Sequence, residues 1–325
     1  MIKKPKIVSG YIYSDVISKR LDETVYEMRV GIQKAVIYNS KLVFLEGDKG
    51  FEQAMKEGIF ALRIPNYINL TYCDSFAQTF YKVRDVKKSR SLDELDFSRF
   101  RNYTSDIFDD NLLGFHERVD QIEQFLLEKR FWKEWYPQEI AKVGDDLCNI
   151  SSIIIRNILR RIGVPEEDYS KATGGCSDKN GSYHLTFNHY RPGKKTKGLS
   201  SHKDDGFVTI LRTISQGLEV NRHSRWEMVL PDTNYFIINF GLAMELLTKN
   251  SGCPVSAIMH RVTQQTLDRW SWGHFSSSNC NEGLGHEIYE YSKKQGLIKI
   301  CTSRDLINNN DHEIYFGTKL KNEIK

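Results

Sequence analysis

The chain has 325 residues, 40% of them hydrophobic and 27% charged, with 46 basic against 42 acidic side chains and a net charge of +4. That size allows one large or two ordinary domains around a substantial core, and the composition is ordinary for a soluble protein. The small charge excess, with no basic stripe interleaved with aromatics, argues against a nucleic-acid partner, and no apolar run reaches the ~20 residues that cross a bilayer, so no membrane partner is expected.

The N-terminus, Met1-Ile2-Lys3-Lys4-Pro5-Lys6, is basic but has no apolar run behind it, so it does not read as a secretion signal. Six cysteines (Cys73, Cys148, Cys176, Cys253, Cys280 and Cys301) are scattered without a Cys-x-x-Cys pair. They read as reduced thiols of a cytoplasmic protein. Residues 34–38 and 41–45 are β-prone runs joined by Asn39-Ser40, which predicts a hairpin. Residues 49–57 read as helical, and 58–65 as a buried strand stopped by Pro65. Residues 84–110 are dense in charge and poor in periodicity, so an exposed irregular connection is expected.

Val119, Ile122, Phe125 and Leu126 recur at helical spacing and predict a helix within 117–135; Trp132, Trp135 and Tyr136 then read as packing residues. The clearest helix is 138–163. Val143, Leu147, Ile150, Ile154, Ile158 and Ile162 form one apolar stripe, and Gly163 and Pro165 end it. A loop over 170–181 leads into 182–278, where short strands and turns alternate as in an antiparallel sandwich or barrel. The tail, 279–325, predicts a helix at 286–295, a short apolar run at Ile298-Lys299-Ile300 and a polar turn at 308–310. The chain thus divides into a mixed α/β region (1–181), a β core (182–278) and a tail (279–325) packing on that core.

The chemistry-bearing pattern lies in the core. His202-Lys203-Asp204 places two donor side chains on one face of a strand, and His260 is a third candidate. Two imidazoles and a carboxylate on one side of a metal leave the other side open, which suits non-haem Fe(II) and oxygen chemistry. Alternation favours Asp204 over Asp205 as the carboxylate. Arg269 and Ser271 share a strand face, and a guanidinium there matches a carboxylate in a bidentate pair. Asn188 and Tyr190 share another. Phe275 continues the face of Arg269 and Ser271 as a candidate substrate wall; Trp270, Trp272 and His274 take the opposite face. Arg212 is a candidate contact for an acidic substrate, with a surface arginine as the competing reading. His184, His189 and His223 are not proposed as ligands.

Around these residues run Asn188-His189-Tyr190, Gly217-Leu218-Glu219-Val220, Asn239-Phe240-Gly241, His260-Arg261-Val262 and Arg269-Trp270-Ser271, in that order. With His-x-Asp, this series resembles the isopenicillin N synthase-like family, which includes many 2-oxoglutarate/Fe(II) oxygenases. Arg191 departs from the pattern, standing between Tyr190 and Pro192 where many members go directly from Tyr to Pro. The resemblance implies an α+β fold with a mainly β core: a distorted double-stranded β-helix, or jelly roll, flanked by N-terminal helices that include the long one near 138–163.

It also implies Fe(II) on His202, Asp204 and His260, with 2-oxoglutarate and O2 as cosubstrates. By the same resemblance Arg269 and Ser271 hold the distal carboxylate of 2-oxoglutarate, Tyr190 donates to it and Asn188 lies beside it. The expected activity is oxidation of an unactivated C–H bond of a small molecule, with release of succinate and CO2. The acidic ligand argues against halogenation, for which related enzymes leave that position free for chloride. Hydroxylation is the default outcome, with desaturation or cyclisation as variants. Two alternatives stay open: an oxidase of the isopenicillin N synthase type that needs no 2-oxoglutarate, and a non-catalytic β-barrel binding protein.

Overall fold

The computed structural model describes residues 25–26, 31–83, 95–279 and 286–315. The apolar stripe on 138–163 makes a helix that runs from Gln138 to Ile162 and buries Val143, Leu147, Ile150, Ile154, Ile158 and Ile162. Gly163 ends it at φ 84°, a left-handed conformation that suits glycine, and its N–H and that of Val164 reach the carbonyl of Leu159.

Before that helix come strands β1 (Val25–Tyr26), β2 (Lys34–Tyr38), β3 (Lys41–Phe44), β4 (Ile59–Arg63), β5 (Gly114–Glu117) and β6 (Ile122–Glu128). The helices there are α1 (Gly47–Glu57), α2 (Thr71–Thr79), α3 (Ser105–Phe108) and α4 (Lys129–Trp135), and the long helix is α5. The expected hairpin at Asn39-Ser40 forms. Both residues have positive φ, 48° and 57°, and Tyr38 pairs with Lys41, as a two-residue hairpin turn requires. The expected buried strand is β4, whose first four residues are all buried.

A short helix α6 (Tyr169–Ala172) leads to β7 (Ser182–Tyr190), β8 (Leu199–His202), β9 (Val208–Thr213), β10 (Leu218–Arg222), β11 (Arg225–Met228) and β12 (Tyr235–Phe240). Helix α7 (Leu242–Thr248), β13 (Met259–Val262) and β14 (Arg269–Ser277) complete the core. The larger sheet has the order β3-β2-β4-β12-β9-β14-β7-β6-β5, and the smaller β1-β11-β10-β13-β8. Together they make the core of a distorted double-stranded β-helix. The long helix packs against β9 and β14, on the side of the large sheet away from the small one.

Three expectations need correction. Residues 117–128 are strand and turn, and helix begins only at Lys129. β6 lies between β5 and β7 with both faces covered, so Ile122, Phe125 and Leu127 are all buried and the two-residue alternation is masked; Val119 is exposed. The tail is a hairpin, β15 (Glu287–Ser292) and β16 (Gly296–Thr302), followed by helix α8 (Ser303–Tyr315). Ile288, Tyr289 and Tyr291 suit a strand, and Thr302 with Asp305 forms a reciprocal cap that starts the helix, so Asn308-Asn309-Asn310 is helical rather than a turn. Of the charged 84–110 stretch, 84–94 lies outside the described residues. The remainder buries Phe97, Phe100 and Phe108 in the aromatic core and is not simply exposed. Among the described residues no helix is long and apolar enough to cross a membrane.

Candidate metal centre and cosubstrate cavity

β8 and β13 are neighbours, and His202 and His260 are direct cross-strand partners with ring centroids 4.3 Å apart. Asp204 follows two residues after the end of β8. Its Oδ1 lies 3.7 Å from Nε2 of each histidine. One donor atom from each of the three residues falls within 4.8 Å of the others, the spacing of groups that can share an ion. The ring Nδ1 of His202 lies 2.8 Å from the Ser200 carbonyl, and that of His260 3.3 Å from the Ile258 carbonyl. These acceptors assign the proton to Nδ1 and leave both Nε2 lone pairs facing Asp204. Burial, then the neighbouring His260, holds the His202 pKa down to about 4, so the imidazole is neutral and able to bind a metal. Two nitrogens and one oxygen on one side of an ion fit Fe(II) with open positions.

Asp204 is oriented from two directions. Thr209 Oγ1 on β9 donates to Oδ2 at 2.7 Å, which leaves Oδ1 for the ligand side. The N-terminal N–H groups of α7 bind the loop backbone, Leu242 to the Asp204 carbonyl at 2.8 Å and Ala243 to those of Asp205 and Gly206 at 3.1 and 3.2 Å. That approach explains Gly241, where a Cβ would stand 2.3 Å from the Gly206 oxygen and 2.8 Å from that of Asp204. Asp205 lines the same cavity but is not one of the three converging groups. Alternation is not what selects between the two aspartates, because both lie beyond the end of β8.

The cavity over this triad has a volume of about 270 Å³. Asn188 and Tyr190 on β7, and Arg269, Ser271 and Phe275 on β14, all line it. Arg269 pairs in register with Tyr190, and Ser271 with Asn188. Arg269 is 3% exposed, and its guanidinium lies 4.5 Å from the centre of the Tyr190 ring. Its Nε donates to the Gln216 carbonyl at 2.9 Å and its Nη2 to Thr213 Oγ1 at 3.1 Å, while Nη1 has no partner among the described residues. Asp268 is not its counter-ion: that carboxylate meets His189, which also bonds Glu123. The Tyr190 and Ser271 hydroxyls lie 3.5 Å apart, and Asn188 Oδ1 accepts from Gln124 Nε2 at 2.7 Å.

Arg212 does not line this cavity. It is buried on the other face of β9, with its guanidinium on the Thr233 carbonyl and on Asp74, so it is neither a substrate contact nor a surface arginine. Trp272 and His274 share that face, Trp272 donating to Asp74 and His274 beside Cys148. Sequence reasoning missed Thr209 and Thr213, although they share the strand parity of Leu211, which lines the cavity. It also missed Gln124, hidden in the segment read as helix, and Ile307 and Asn310 of α8. Asn310 Nδ2 donates to the Lys203 carbonyl at 2.9 Å, which brings the tail to the mouth of the site.

A family profile described as the 2OG-Fe(II) oxygenase superfamily matches residues 182–278. Jasmonate-induced oxygenase 2 of Arabidopsis thaliana is 31% identical over 140 residues, 40% of this chain and 36% of that protein. Thebaine 6-O-demethylase of Papaver somniferum is 31% identical over 153 residues, 46% and 41% of the two. The matched part spans less than half the length of these curated relatives. Among solved structures, JOX2 in complex with 2OG, Fe and JA superposes with a TM-score of 0.59 at 18% identity, over 88% of this chain and 90% of that one. A full-length Neurospora crassa protein in complex with alpha-KG and thymine gives 0.58 at 16% identity, over 82% and 91%. At such identities these two show a shared fold. Residues 182–278, which carry the converging His-x-Asp and His side chains, are thus similar to the core of the 2OG-Fe(II) oxygenase superfamily.

Proposed function

We propose that the protein is an Fe(II)- and 2-oxoglutarate-dependent oxygenase that oxidises an unactivated C–H bond of a small molecule, hydroxylation being the default outcome. Within the superfamily we assign it to the isopenicillin N synthase-like branch, on its Asn188-x-Tyr190 and Arg269-x-Ser271 segments. The observation that carries the reading is Arg269. A guanidinium set 3% exposed in the wall of the triad cavity, with one nitrogen unpartnered, fits a carboxylate-bearing cosubstrate.

His202, Asp204 and His260 would hold the metal. Bound there with 2-oxoglutarate, Fe(II) supplies the oxygen activation that no side chain can. Arg269 would grip the distal carboxylate, with Ser271 and Tyr190 adding hydroxyl donors and Asn188 fixing the neighbouring wall. Thr213 and the Gln216 carbonyl hold the guanidinium in place for that task. Leu211, Leu218 and Val262 give the cavity apolar walls that exclude water. Phe275 would face the substrate. The cavity volume favours a small molecule, as do the JA and thymine held by the JOX2 and Neurospora crassa structures. The scattered thiols, with five described cysteines free, support a cytoplasmic location.

Anaerobic titration of the Fe(II) protein with 2-oxoglutarate tests the cosubstrate. A new visible absorption band is expected. Its absence would favour a 2-oxoglutarate-independent oxidase. Succinate release across a panel of small molecules then tests turnover, and its absence throughout would favour a binding protein.

A further inference from the structure

The two segments that bring the metal ligands meet at one carboxylate outside the cavity. Lys203, between His202 and Asp204, is 8% exposed, and its ammonium lies 3.1 and 3.4 Å from the two carboxylate oxygens of Glu245 on α7. Glu245 Oε2 also accepts the backbone N–H of Ala257 at 2.5 Å, on the run that leads into His260. The first turn of the same helix already holds the carbonyls of Asp204, Asp205 and Gly206. One short helix thus grips the His-x-Asp loop by its backbone and by Lys203. The same helix grips the approach to His260 through Ala257.

We infer that Glu245 is a positioning residue of the metal centre, setting the separation between the His202/Asp204 segment and the His260 segment. The inference rests on the metal-binding reading above. A buried ammonium needs a partner, and Glu245 supplies it from the wall of a second cavity of about 480 Å³ that lies behind the ligand strands. Glu245 is partly exposed there, so as a plain ion pair it contributes little stability. Its effect is geometric: two anchoring bonds at one carboxylate fix where two strands place their donors.

Metal-free wild type, E245A, E245Q and K203M would be titrated with Co(II), following its visible absorption, with urea unfolding measured in parallel. Groups that orient metal ligands typically change affinity by about 10- to 100-fold when removed. E245A and K203M are expected to weaken Co(II) binding by that amount, K203M with little change in unfolding midpoint and E245A with a lower one, because it leaves the Lys203 ammonium without its carboxylate. E245Q, which keeps an acceptor for Ala257, should fall between. Through-space charge alone predicts the opposite sign for K203M, since removing a cation attracts a metal ion. Tighter or unchanged binding in K203M therefore overturns the inference while leaving the oxygenase reading standing. Failure of wild type to bind Co(II) overturns both. Should E245A not fold, K203M, which keeps the Glu245–Ala257 bond, decides the matter by itself.

Discussion

Replacing Arg269 with methionine separates a working guanidinium from a structural one. The apo protein loses two hydrogen bonds, to the Gln216 carbonyl and to Thr213, each worth about 1.5–3 kcal/mol because the donor is charged. It also sheds a buried charge with an unpartnered Nη1, and leaving such a donor unmet costs about 1–3 kcal/mol. The relief offsets only part of the loss, so apo stability should fall by about 2–3 kcal/mol. Binding of 2-oxoglutarate is another matter. Truncating one partner of a buried, hydrogen-bonded charge pair costs about 2–5 kcal/mol. At about 1.4 kcal/mol per decade, a mid-range 3–4 kcal/mol weakens 2-oxoglutarate by roughly 100- to 1000-fold. Anaerobic titration of the Fe(II) form, by absorbance or calorimetry, reads the affinity, and urea unfolding reads the stability. Lost stability with 2-oxoglutarate affinity intact would show that Arg269 serves the fold and would refute the argument.

Thr209→Val removes the donor to Asp204 Oδ2 without changing shape, and should weaken Co(II) about tenfold in a folded protein; unchanged affinity would mean that the carboxylate needs no such guide. Gly241→Ala sets a methyl against two carbonyl oxygens that cannot retreat without unseating the Asp204 loop, so unfolding in urea should show a loss of about 1–3 kcal/mol. His274 is fully buried, and burial first, then the Lys129 charge, holds its pKa down to about 3. The folded state therefore stays neutral while the unfolded chain takes up a proton below pH ~6.5, so stability is flat above that value and falls by up to about 1.4 kcal/mol per unit toward pH 3. His274→Asn should flatten that slope, and an unaltered pH profile of unfolding would rule the histidine out as its source.

The three converging side chains, His202, Asp204 and His260, and the cavity position of Arg269 and its neighbours were legible because their signals are local. His-x-Asp needs only a strand end, and Arg269-x-Ser271 only a strand parity. The long helix was legible because its stripe packs on one side. β6 was not, since a strand covered on both faces carries no alternation and Gln124 went with it. The β15–β16 hairpin mixes Lys and Glu with Tyr and Ile, a composition that serves helix or strand until a partner strand decides. Glu245 was visible as a residue but not as a clamp. Nothing along the chain says that its carboxylate meets both Lys203 and the N–H of Ala257.

β8 lies at the rim of the smaller sheet, with β13 as its strand neighbour and the Asp120 carboxylate meeting the Ser200 N–H. Two of the three donors thus ride on or just past the barrel's outermost strand, and the third on an interior one. An ion held between them would add a cross-link to those made by Glu245 and Asp120, and its binding energy would add to the work of peeling that strand away. Chelation would accordingly loosen one border of the molecule first, speeding amide exchange at 199–202 ahead of 259–262, while the aromatic interior stays shut.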